Sequence, residues 1–179
     1  LLDAGRAKDA LEPLTRAVSS APEQRNFAGW LAEARFRAGR RAAAFALLAR
    51  LEAEVPPVQV WWVLHLRAEL RLEEGDARAA LRDLKAAERC EGRHADGYYL
   101  SARARLALGD AKGAEGEIAK ALTISPNMGR AYLLRAEIRR RLGRARAVLD
   151  DYRTVYERFP ALFNDEQKGR VAALLGGTR

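Results

Sequence analysis

Glycine recurs along this chain at an almost fixed interval, and that period constrains the fold more than any other feature. Gly39-Arg40, Gly75-Asp76, Gly109-Asp110 and Gly143-Arg144 are separated by 36, 34 and 34 residues, and Gly5-Arg6 stands 34 before the first of them. Five residues after each glycine comes a small residue, Ala10, Ala44, Ala80 or Ala114, with Val148 in the last copy. Twelve after it comes an apolar one, Ala17, Leu51, Ala87, Ala121 or Val155. Seventeen after it stands a proline in four copies, Pro22, Pro56, Pro126 and Pro160, with Gly92 in that place in the third. Self-similarity at such a period is the mark of stacked repeats.

Upstream of the glycine a second pattern repeats. Leu64, Tyr98 and Tyr132 lie eleven residues before it, and Ala32, Ala68, Ala102 and Ala136 seven before it. Positions four apart share one face of a helix. Each unit therefore reads as a helix, a tight turn at the glycine, a second helix crossing close at a small residue, and a proline that cannot continue it. The fold class is all-α, a solenoid of antiparallel helix pairs. Boundaries follow from the phase: a partial repeat holding only a second helix at 1–24, full repeats at 25–60, 61–94, 95–128 and 129–162, and a capping helix at 163–179, all in one solenoid domain. In the cap, Asn164 and Gln167 stand at N-cap spacing ahead of Val171, Leu174 and Leu175, and Gly176-Gly177 ends the helix. Such a helix covers the last apolar face of a repeat array.

Composition agrees. Ala, Glu, Lys, Leu and Arg fill 108 of 179 positions, and 36 of the apolar residues are Ala, so the core is thin and distributed. No apolar stretch is long enough to span a bilayer. Cys90 is the single cysteine and no Cys/His cluster suits zinc, so neither a disulfide nor a metal is expected. The net charge of +8 raises nucleic acid as a partner. However, 27 of 32 basic residues are Arg scattered over the helices beside abundant Ala, a bias expected of a GC-rich bacterial genome. Nucleic acid is not the expected partner. The chain opens at Leu1 inside a unit, without Met, so further repeats or a domain are expected upstream; the compartment, cytoplasm or periplasm, stays open.

Chemistry-bearing groups are few. His65 and His94 are the only histidines, with no Ser or Cys at a suggestive spacing, and the glycines stand singly rather than in a phosphate-cradling cluster. No catalytic residue or cofactor is expected.

The segment Ala95–Met128, with Tyr98, Ala102, Gly109, Asp110, Ala114, Ile118, Ala121, Leu122 and Pro126 in phase, resembles the tetratricopeptide repeat, and the resemblance covers essentially the whole chain. It implies a right-handed superhelix whose first helices line a concave face that binds a peptide or partner protein. The groove positions are then Asn26, Gly29, Glu33, Phe36 and Arg37; Trp62, His65, Glu69, Leu72 and Glu73; Asp96, Tyr99, Arg103, Leu106 and Ala107; and Arg130, Leu133, Glu137, Arg140 and Arg141. Trp62, Tyr99, Leu72, Leu106 and Leu133 form a discontinuous apolar strip, with either Trp61 or Trp62 turned into the core. The clamp by which some family members hold the acidic tails of chaperones needs Lys, Asn and Arg where this chain has Gly29, Glu33, Leu66, Asp96 and Leu100, so it is not expected here. One unit further on, the places hold His65, Glu69, Leu100, Arg130 and Leu134, of which only Arg130 is compatible.

Where the family usually has tyrosine, four before the glycine, this chain has Arg35, Arg71, Arg105 and Arg139. These are expected to pair with Asp83, Glu117 or Asp151 on the facing helix; otherwise they form a row able to track RNA or an anionic polysaccharide. The leading functional expectation is a non-catalytic interaction scaffold within a larger bacterial protein or assembly. The alternatives are an arm of an envelope, polysaccharide-export or secretion apparatus, or a binder of an anionic polymer.

Overall fold

A computed structural model describes residues 4–90 and 94–176. Among them are ten α-helices and no strand. In chain order these are α1 (Ala4–Ser20), α2 (Arg25–Arg37), α3 (Arg41–Glu54), α4 (Trp61–Glu73), α5 (Ala77–Cys90), α6 (Ala95–Ala107), α7 (Ala111–Ile124), α8 (Gly129–Arg141), α9 (Ala145–Arg158) and α10 (Asp165–Gly176), with short 3₁₀ turns at Pro57–Gln59 and Pro160–Leu162. The chain forms two compact units, residues 1–92 and 93–179. In the first, α2 packs against α1 and α3, and α4 against α5; in the second, α6 packs on α7, α8 on α9, and α10 on α9.

The four internal glycines act as the period requires. Gly39, Gly75, Gly109 and Gly143 have φ between +73° and +84°, the left-handed region that a side chain at this place would strain. At each, the amide three residues past the helix donates back five residues, Arg40 to Arg35, Asp76 to Arg71, Asp110 to Arg105 and Arg144 to Arg139, at 2.8–2.9 Å. This arrangement satisfies carbonyls that the helix end leaves bare. The following residue starts the next helix. Asp76 and Asp110 accept from the amides of Ala79 (2.9 Å) and Gly113 (2.8 Å), whereas Arg40 and Arg144 supply no such cap. Gly5, counted with these turns, lies at the start of α1 instead; Gly92 and Gly177 fall outside the described residues.

The small positions sit where helices cross. Ala32, Ala68, Ala102, Ala136, Ala44, Ala80 and Ala114 are fully buried, as are Ala121 and Val155, while Leu51 and Ala87 are nearly so. The first unit's core gathers Leu31, Phe36, Leu47, Leu48, Leu51 and Val63, with Leu11, Leu14 and Val18 of α1 against it. The second unit's core gathers Tyr98, Ile118, Leu122 and Ile138 among alanines. Pro22, Pro56, Pro126 and Pro160 all lie outside the α-helices. The cap forms through a reciprocal pair of bonds: Gln167 N–H donates to Asn164 Oδ1 (2.8 Å) and Asn164 N–H to Gln167 Oε1 (2.9 Å). Val171 is buried with Val155 and Phe163, and Leu175 packs beside them, but Leu174, expected to help cover the core, is 53% exposed.

Candidate functional site

The recurrent arginines are mostly committed inside the units. Asp83, 4% exposed on α5, is gripped by two of them: Arg67 through Nε (3.0 Å) and Nη2 (2.9 Å), and Arg71 through Nη1 (2.6 Å). The Arg71 Nη1 also reaches the Ala79 carbonyl at 3.2 Å. The same clamp recurs in the last repeat, where Asp151, 1% exposed, accepts from Arg135 Nε (3.0 Å) and Arg139 Nη1 (2.8 Å), and Arg139 reaches Ala147 O at 3.2 Å. Burial lowers the proton affinity of the Arg67 guanidinium, but the hydrogen bonds and charges of Asp83 and Glu52 outweigh it and hold its pKa above the usual value. In the repeat between, Ser101 stands where Arg67 and Arg135 do, and Arg105 is left with Asp110 at 3.0 Å and Glu117 at 3.7 Å. For Arg35 the facing position is Leu47, so the clamp is missing there. The arginine row is thus mainly a packing device, consistent with a long stem that buries and a head that finds an acid.

On the first-helix face of the N-terminal unit, charges neutralise one another. Arg37 bonds Glu33 at 3.1 Å on its own helix and Glu73 of α4 at 3.0 Å, and Arg41 approaches Glu74 at 3.7 Å. Trp62 lies half-buried across α2, so close that a Cβ on Gly29 would stand 3.0 Å from its Cζ3. Trp61 packs with Val60, Leu64 and Ala87 and meets His65 edge-on at 5.4 Å. Both tryptophans are half-buried, rather than one in the core and one in the groove. Asn26 is exposed and lines, with Trp61 and Trp62, an open cavity of about 350 Å³. Glu69 and Leu72 are half-buried on α4.

The C-terminal unit presents an aromatic ring held by two guanidinium groups. Arg130 of α8 lies 4.7 Å from the Tyr99 centroid and Arg103 of α6 lies 5.9 Å from it. Arg130 also pairs with Asp96. Leu106 is half-buried against the core of α6–α8, and Leu133 against the capping cluster. Glu137 accepts from Arg140 (2.7 and 2.8 Å) and Arg141 (2.9 Å); the Arg140 bonds hold its carboxyl below the ordinary range, against a partial burial that opposes the shift. Trp62 and Tyr99, named together as one strip, belong to different units.

Two features escaped the sequence reading. Trp30 is 51% exposed and tilted against Phe27 at 5.6 Å. It occupies the place held in later repeats by Leu66, Leu100 and Leu134, which are half-buried or buried, and that break in the period was the available signal. The second is an apolar hollow at the C-terminal end, beside Phe159 and Leu162, built by the 3₁₀ turn that opens at the recurrent Pro160. Among the described residues no cluster of His, Cys, Asp or Glu suits a metal, and no helix is long and apolar enough to cross a membrane.

Helix pairs closed by left-handed glycines, crossing at alanines and exposing mixed aromatic and charged first-helix faces, define a helical-repeat scaffold. Within that class, the tetratricopeptide repeat family matches residues 1–70, and solved structures of tetratricopeptide repeat proteins share the fold over most of the chain. A thermophilic TPR protein of Thermus thermophilus superposes with a TM-score of 0.75 at 24% identity, covering 96% of this chain and 91% of that one. A tetratricopeptide repeat protein of Parabacteroides merdae ATCC 43184 gives 0.68 at 20% identity over 96% and 68%. MamA of Desulfovibrio magneticus RS-1 gives 0.67 at 15% over 89% of each chain. No curated protein sequence matches the chain. At these identities the likeness concerns the fold, which in general supports protein–protein interaction and is generally non-catalytic.

Proposed function

We propose that the protein is a non-catalytic scaffold that holds a peptide segment or partner protein on its first-helix faces, within a larger bacterial protein or assembly. The observation that carries this reading is Tyr99, half-buried on α6 with Arg130 and Arg103 over its ring. Tyr and Arg, with Trp, are the side chains that most often carry interface energy, roughly 2 kcal/mol or more each when truncated. Here they come pre-organised, so ordering them costs a partner little. Asn26, Glu33, Arg37, Trp62, His65, Glu69, Leu72, Leu106, Leu133 and Glu137 complete the proposed contact set. Commitment of Arg71 and Arg139 to buried aspartates counts against an anionic polymer tracked by the arginine row. The test is affinity capture from the source cell with wild type and with the Tyr99→Ala, Arg130→Ala double variant. A partner held by the wild type and lost by the variant, with unchanged helix content, supports the reading; equal capture by both overturns it.

A further inference from the structure

At the far end of the C-terminal unit, the chain builds an apolar groove in two parts. One is an open cavity of about 530 Å³ between the start of α8 and the end of α9, floored by Met128, Phe159 and Pro160. The other, about 320 Å³, lies between α8, α9 and the cap, floored by Leu133, Tyr152 and Val171. Leu162 is a wall of both and is 44% exposed; Leu174, at the second, is 53% exposed. An exposed leucine between two hollows offers an apolar ridge with a pocket on either side.

The rim of this groove is basic. Arg158 lies 5.3 Å from the Phe159 centroid and donates to the neutral Asn127 side chain at 2.6 Å, with no carboxylate paired to it among the described residues. Among the described residues Arg170 pairs with Glu166 alone, one turn away on the same helix, with both side chains more than 70% exposed, a pair of little worth in water. Arg130 stands at the opposite lip, matched by Asp96. The wider field has the same sign: residues 93–179 hold 17 Lys and Arg against 10 Asp and Glu, while residues 1–92 hold 15 against 14. Almost all of the net +8 therefore lies in this unit.

We infer that this groove binds a short peptide segment of another protein in which large apolar side chains alternate with Asp or Glu. The apolar residues seat on either side of Leu162 and the carboxylates meet Arg158 and Arg170, giving charge-assisted contacts at the rim of an apolar floor. A nucleic acid fits less well, because Phe159 already stacks with Tyr132 (6.1 Å, 29°) and carries Arg158 over its ring, so it offers a base a poorer stacking platform. This inference rests on the scaffold reading and gives it a second site and a partner chemistry.

The test is selection of random peptides displayed on phage against the full chain, followed by anisotropy of the enriched peptide with variants. Acidic peptides carrying Leu, Ile, Phe or Trp are expected. Leu162→Ser should weaken their binding by about tenfold, and Arg158→Gln with Arg170→Gln should weaken it and flatten its salt dependence. Because Leu162→Ser risks loosening the cap, the exposed Ala161→Glu serves as a second variant, placing a repelling carboxylate in the groove without removing packing. Enriched peptides that bind all these variants as tightly as wild type overturn the groove but leave the scaffold reading standing, particularly where Tyr99→Ala abolishes their binding. Enrichment of basic or purely polar peptides, a dimer in solution that Leu162→Ser dissolves, or tighter binding of single-stranded oligonucleotide each overturns it as well.

Discussion

The N-terminal and C-terminal units are made from the same repeat and show nearly identical internal devices under different surfaces. Each contains one aspartate clamped by two arginines, Asp83 in the first and Asp151 in the second. Each closes its helix pairs on left-handed glycines. Outside, however, the first unit cancels its charges locally through Glu33, Arg37 and Glu73, and the second keeps an excess of arginine around Tyr99 and along the groove by Leu162. The interior is thus set by the repeat, and the surface is free to specialise, which is why the proposed acidic partner is assigned to the C-terminal half.

The sharpest way to break this comparison is through the clamps. Asp151→Asn leaves the half-buried Arg135 and Arg139 without their carboxylate, and Asp83→Asn does the same to Arg71 while Arg67 keeps Glu52, so the losses should be about 3–5 kcal/mol for a broken buried pair, with Asp83→Asn at the lower end. Glu117→Gln, in the repeat where Ser101 replaces the second arginine and Glu117 comes no nearer than 3.7 Å to Arg105, should cost about 1 kcal/mol or less. Urea unfolding of the three variants checks both magnitudes. A loss at Glu117 equal to that at Asp83 would mean that the clamp is no distinct device, and that the repeats share one uniform charge row.

How much of this was legible beforehand depends on whether a feature repeats. The glycine turns, the alanine crossings, the Asn164–Gln167 cap and the pairing of Arg71, Arg105 and Arg139 with facing acids were all readable, because period fixes the neighbours of each position. Features that break the period were not. Exposed Trp30 replaces a packed leucine, Leu174 points away from the core its helix covers, and the groove at Leu162 depends on a 3₁₀ turn joining the last repeat to the cap. The site residues were readable as helix positions only; that Arg37 is neutralised by Glu73 while two arginines hold Tyr99 needed coordinates.

A smaller effect separates two glycines of first helices, Gly129 at the start of α8 and Gly29 a turn into α2. A Cβ at Gly129 would lie 2.7 Å from Phe159 Cγ and Leu162 Cδ1, against a seam anchored by the cap, so Gly129→Ala should cost about 1–3 kcal/mol by overpacking. At Gly29 the nearest atom is the ring edge of Trp62 at 3.0 Å, which can shift by a few tenths of an ångström. Gly29→Ala should therefore be milder and be read as a change in tryptophan emission. Equal losses at both would indicate that the C-terminal seam is no tighter than the N-terminal one, and would weaken the case for a pre-formed groove at Leu162.

The smallest contrast is between capped and uncapped second helices. Asp110 accepts from the Gly113 amide, and that bond, followed by Arg105, holds its carboxyl below its ordinary value of 3.8. A carboxyl whose folded-state pKa is depressed adds stability above the unfolded value, and the gain disappears as pH falls through the folded one. Asp110→Ala should therefore lower the melting temperature modestly near neutrality, with the gap to wild type closing below the ordinary carboxylate range. Arg144, in the same place on α9, makes no cap and instead pairs with Glu115 across the repeat. Arg144→Ala removes this partly exposed ion pair and no cap, so its loss should be about 1 kcal/mol or less and should shrink as salt is added. If Asp110→Ala shifts melting equally at every pH, the Asp110 carboxylate is not acting as the cap, and the two turns are equivalent after all.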